Sequence, residues 1–72
     1  MQHDSLSDPL ALLKQRQVAE LTGLSERKLE AARLRGIGIP YVRFSKRCIR
    51  YRRGDVDSHV ASLVVRTASA NS

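Results

Sequence analysis

The sequence predicts a mainly α-helical fold with a small β-hairpin, in the order helix, turn, helix, hairpin, helix. Three observations predict it. Helical apolar spacing on both sides of Thr22-Gly23-Leu24-Ser25 marks two helices and the turn between them. Apolar and polar residues alternate from Tyr41 to Arg52, after a break rich in glycine and proline, as the strands of a hairpin do. Val56, His59, Val60, Leu63 and Val64 then fall at i, i+3, i+4, i+7 and i+8, the stripe of a third helix facing a core.

The ends carry little periodicity. Residues 1–12 (MQHDSLSDPLAL) and 66–72 read as flexible arms around one domain at 13–65, with Leu13 packing on the core. From Gln15 to Thr22, Val18, Ala19 and Leu21 share one side, and Gly23 supplies the left-handed conformation that a helix end favours. Ser25 is a good N-cap for the second helix, which runs from Glu26 to about Arg35 and stops at Gly36. Gly36-Ile37-Gly38-Ile39-Pro40 breaks helix and reads as a hinge. In the hairpin, pairing Phe44 with Ile49 and Val42 with Tyr51 sets Ser45 opposite Cys48, leaves Lys46-Arg47 at the tip and places the four apolar side chains on one face. The same register sets Arg43 directly across from Arg50, a repulsive pair unless an anion lies against it. Tyr41 falls across from Arg52, a possible cation–π pair. The third helix spans about Asp55 to Val65, with Asp55 and Asp57 suited to its positive N-terminal dipole.

With 72 residues the chain has room for one domain. Its 13 Lys and Arg against 7 Asp and Glu give a formal charge of +6. That charge is concentrated: Ser25 to Arg53 holds ten basic and two acidic residues, a balance of +8, and each flank holds −1. A single cysteine, Cys48, rules out an internal disulfide, and with only His3 and His59 beside it a structural zinc site is not expected. No stretch approaches the roughly 18 apolar residues of a membrane span, and no secretory leader is evident. The expectation is a reduced, soluble, cytoplasmic protein. Paired carboxylates, a nucleophile elbow and a phosphate loop are all missing from the sequence, so neither an enzyme nor a cofactor is expected.

The basic cluster is the informative feature. With Leu29 and Ala32 inward on a helical wheel, Arg27, Ala31 and Leu34 fall opposite, and Lys28 and Arg35 lie on one flank. Two cations in a first helical turn oppose the helix dipole but suit a phosphate, and arginine or lysine on the O6/N7 edge of guanine is the commonest specific contact in the major groove. Glu30 offers an acceptor to a cytosine amino group. A solvated surface is the plain alternative for the helix taken alone. Arg43, Lys46, Arg47 and Arg50 repeat the self-repelling arrangement on a second element, and that favours an absent polyanion. Cys48 and His59 read as packing residues.

Three segments together carry a resemblance: QVAELTGLS (Gln17 to Ser25), RLRGIGIPYVRF (Arg33 to Phe44) and RYRRGDVDSHV (Arg50 to Val60). Over about Leu13 to Val64 the chain resembles the small winged helix-turn-helix proteins of the phage excisionase and AlpA-like regulator group, related to the DNA-binding domain of the MerR family. The resemblance implies a recognition helix offering Ser25, Arg27, Lys28, Ala31 and Arg33 to the major groove. It also implies a two-stranded wing offering Arg43, Lys46, Arg47 and Arg50 to the backbone or a neighbouring minor groove. Ala32 and His59 stand where the family commonly has large aromatics, which implies a small core.

The function so implied is that of a recombination directionality factor. Such a protein binds repeated sites beside an attachment sequence, bends the DNA, associates with neighbouring copies of itself and directs a tyrosine or serine integrase towards excision. An AlpA-like transcriptional regulator of a mobile element is the alternative, and the two share every residue named above. A DNA-recognition piece of a viral packaging complex and a generic basic RNA binder are further alternatives.

Overall fold

The computed structural model describes residues 7–66. The first six residues, His3 included, and residues 67–72, which the sequence reading assigns to the two arms, lie outside them. The chain runs β1 (Leu12–Leu13), α1 (Gln15–Thr22), α2 (Glu26–Leu34), β2 (Val42–Ser45), β3 (Cys48–Arg52) and α3 (Arg53–Ser62). The three strands form one antiparallel sheet in the order β1-β3-β2. The class is therefore mixed α and β, with one strand more than the expected hairpin.

That extra strand comes from the segment read as an arm. Leu12 pairs with Arg52 and Leu13 with Tyr51. Ahead of it, Asp8 makes a local turn, its Oδ1 accepting from Leu10 N–H at 2.8 Å and its carbonyl from Ala11 N–H at 2.9 Å. The carbonyls of Ala11 and Pro9 then accept from Arg53 and Gly54 N–H, each at 2.9 Å, and so satisfy the first two free donors of α3. A Cβ on Gly54 would lie 3.2 Å from the Pro9 oxygen. Any side chain there would press on the Pro9 backbone, which would have to give by a few tenths of an ångström.

The helix pair follows the sequence closely. Lys14 has no side-chain acceptor to cap α1, but Gln17 Oε1 accepts from Lys14 N–H at 2.8 Å and closes half of a capping box. Gly23 is left-handed (φ 78°), and its N–H donates to Ala19 O at 2.8 Å. Ser25 Oγ accepts from Lys28 N–H, as expected of the α2 N-cap. At the other end Gly36 is left-handed; its N–H donates to Arg33 O and Ile37 N–H to Ala32 O, the two bonds of a Schellman motif.

The hairpin differs from the expected register. Ser45 does pair with Cys48, but Arg43 pairs with Ile49 and Val42 with Arg50, because a bulge lies between Arg43 and Ser45. Phe44 is the extra residue. Lys-Arg at the tip lacks the glycine or asparagine of a tight two-residue turn, and a bulge supplies the twist that such a turn would give. Two expectations fall with the register. Arg43 does not face Arg50, and Phe44 is 60% exposed instead of buried beside Ile49. Tyr41 meets Arg33, not Arg52, with the Arg33 guanidinium carbon 5.7 Å from the ring centroid.

The third helix starts two residues earlier than expected and ends three earlier. Arg52 and Arg53 bond to Asp55 (2.7 Å) and Asp57 (3.1 Å) across its first turns. The Asp55 hydrogen bond, with its charge, holds the Arg52 guanidinium above its ordinary range. Of the apolar stripe, Val56 is buried and His59 half-buried, while Val60, Leu63 and Val64 are exposed. Val64 and Val65 follow the end of the helix at Ser62 and are exposed. Leu13, Val18, Leu29, Ile39, Tyr51 and Val56 form the core, with Ala11, Ala19 and Ile49 against it. Ile39, in the segment read as a hinge, is thus a core residue. No helix among the described residues is long and apolar enough to cross a membrane.

Candidate nucleic-acid interface

Two basic surfaces emerge from this scaffold. The first is the outer side of α2. Leu29 buries the inner side and Ala32 is half-buried, which leaves Arg27, Lys28 and Ala31 exposed along the helix. Ser25 begins that face, but its hydroxyl oxygen is engaged in the cap bond to Lys28 N–H. No carboxylate pairs with Arg27 or Lys28; among the described residues the ion pairs are those of Arg52 and Arg53.

The second is a groove of about 510 Å³ lined by Lys14, Gln15 and Arg16 at the start of α1, by Glu26 and Arg33 on α2, and by Lys46, Arg47, Ile49 and Arg50 on the hairpin. Lys46 and Arg47 are exposed at the tip, and Arg50 is half-buried with Nη1 donating to the Ile49 carbonyl at 2.8 Å. Arg43, exposed and paired with Ile49, lies with Lys46 on a smaller neighbouring concavity shared with Glu30, Leu34 and Tyr41.

Arg33, which the resemblance offers to the major groove, does not stand on the exposed face of α2. It is half-buried, and its Nη1 donates to Gln15 Oε1 at 2.7 Å and to Tyr51 Oη at 2.9 Å. Gln15 Nε2 in turn donates to Glu26 Oε1 at 3.2 Å. This chain of hydrogen bonds ties α1, α2 and β3 together under the groove. Arg33 therefore links the basic helix to α1 and to the central strand from the groove wall, seven residues after Glu26 and on the same side of α2.

Sequence reasoning missed Lys14 and Arg16. They flank the start of α1 outside the dense basic segment, and nothing in their spacing places them opposite the hairpin tip; the three-stranded sheet does. No group of three or more His, Cys, Asp or Glu side chains forms a metal cage among the described residues. Comparison with known proteins adds no relative: no family model matches the chain, and neither a curated protein nor a solved structure matches it.

Proposed function

We propose that this chain is a winged helix-turn-helix protein that binds duplex DNA with sequence preference and works as an excisionase, the directionality factor of a mobile element. In this reading α2 is the recognition helix, with Arg27, Lys28 and Ala31 towards the major groove. The β2–β3 hairpin is the wing, and Arg43, Lys46, Arg47 and Arg50 meet the phosphates. The protein acts by binding DNA and neighbouring copies of itself, and not by catalysis.

One observation carries the reading. Arg27 and Lys28 on α2 and Lys46 and Arg47 at the hairpin tip are exposed on two elements joined by the Arg33–Tyr51 hydrogen bond, and none of the four is neutralised by a carboxylate of the described residues. A domain with a core of six residues has little stability to give up, about 3–5 kcal/mol for domains of this size, so concentrated like charge points to a ligand that removes it. A polyanion does so and releases its counterions.

Footprinting on an attachment region and on the element's own promoter, with an integrase-dependent excision assay run with and without the protein, tests the proposal. Protection of repeated sites and excision that depends on the protein support the directionality factor. A footprint confined to a promoter, with excision unaffected, moves the function to transcriptional regulation. Equal affinity for RNA hairpins and duplex DNA defeats both. About six phosphate contacts correspond to a log–log salt slope near −5.

A further inference from the structure

We infer that the groove between the start of α1 and the hairpin tip seats one sugar–phosphate strand of the duplex, with Lys14 and Arg16 forming the wall opposite Lys46, Arg47 and Arg50; this rests on the duplex-DNA reading above. The α2 face reads bases in that scheme, and α1 and the hairpin clamp a backbone between them.

Charge is the first argument. Six cations, those five and Arg33, line one concavity, and no carboxylate of the described residues pairs with any of them. The one carboxylate in the groove, Glu26, is held by the amide of Gln15. Like charges gathered on one concavity raise its potential for any anion, the more so at low ionic strength.

Preorganisation is the second. Arg33 sits half-buried in the groove wall with Nη1 fixed by Gln15 and Tyr51, while its Nε and Nη2 donors have no protein acceptor among the described residues. A guanidinium already oriented, with free donors, loses little entropy on meeting a phosphate oxygen.

Shape selects the class of anion. The groove is broadly open, and among the described residues Ile49 is its one apolar lining residue, so these residues build no aromatic or apolar wall on which a nucleotide base or a lipid chain could rest. Cations distributed over three elements match successive phosphates of a strand better than a single one.

The test is a salt titration of binding to a preferred and a scrambled duplex. Lys14→Gln with Arg16→Gln removes two cations from exposed side chains, and Lys14 makes no side-chain cap bond, so the unfolding midpoint stays at the wild-type value. The expected result is a slope shallower by about 1.8 and weaker binding to both duplexes with their ratio unchanged. The charge-retaining pair Lys14→Arg with Arg16→Lys keeps the wild-type slope. Wild-type slope and affinity in the Gln pair, with preference still destroyed by Arg27→Ala, overturns the groove and leaves the DNA reading standing. A loss as large in the charge-retaining pair as in the Gln pair also overturns it. If the wild-type protein binds no duplex, both readings fail together.

Discussion

Arg33 Nη1 lies 2.9 Å from Tyr51 Oη, and the bond joins the basic helix to the central strand of the sheet. Tyr51 is 1% exposed, pairs with Leu13 across β1 and tilts its ring at 56° against Tyr41, 6.3 Å away. One core aromatic therefore supports the sheet by its ring and sets the helix by its hydroxyl.

Those two roles separate in substitution. Tyr51→Phe keeps the ring and removes the acceptor, so urea unfolding should show a loss of about 1 kcal/mol. Tyr51→Ala should cost about 3–5 kcal/mol and leave little folded protein. A Phe variant as stable as wild type would show that the Arg33 bond contributes nothing net.

Gly38 has φ 90°, and a Cβ there would lie 3.0 Å from the Ala32 Cβ. Gly23 is equally left-handed, at φ 78°, but opens on empty space. Gly23→Ala should cost about 1 kcal/mol from backbone conformation alone, and Gly38→Ala distinctly more, since the linker must also move off α2. Equal midpoint shifts in thermal unfolding would show that Ala32 yields freely. The contact also leaves no room for a larger residue at position 32, and Ile39, next after Gly38, is buried in the core.

Local chemistry made α1, the turn, the Ser25 cap and the Lys46-Arg47 tip legible, because capping and left-handed glycine are written in single residues. The β1 strand was not, since two leucines after Pro9 carry no period and gain their structure only from the exposed edge of β3. The bulge was hidden for a related reason: strict alternation fits the sequence equally well, and what excludes it is the twist that a Lys-Arg turn fails to supply. The exposure of Arg27, Lys28, Lys46 and Arg47 follows directly from the charge pattern. The inward place of Arg33 follows from its position four residues after Leu29 on the same side of α2, whereas its partners Gln15 and Tyr51 come from other elements and have no signal in the helix.

The shifted register makes Phe44 a surface residue. Phe44→Ser should therefore change stability by no more than about 0.5 kcal/mol, against about 2–5 kcal/mol for Leu13→Ala, which empties a fully buried site. Chemical unfolding of the two variants checks this. A loss above about 2 kcal/mol for Phe44→Ser would restore the unbulged hairpin with Phe44 against Ile49.

In the proposed DNA complex the two basic elements have different tasks, and binding to matched and scrambled duplexes at two salt concentrations separates them. Arg27 and Lys28 stand on the exposed side of a helix narrow enough for a groove about 12 Å wide, where each base contact is worth about 1–3 kcal/mol of discrimination. Arg27→Ala and Lys28→Ala should therefore bring the two affinities together. Lys46 and Arg47 sit on a two-residue turn with no helix to aim them at base edges. Lys46→Ala and Arg47→Ala should lower both affinities alike and flatten the salt slope by about 0.9 each. Undiminished binding in the Lys46/Arg47 double variant would remove the hairpin from the interface, and unchanged preference in the Arg27 and Lys28 variants would move the reading surface off α2.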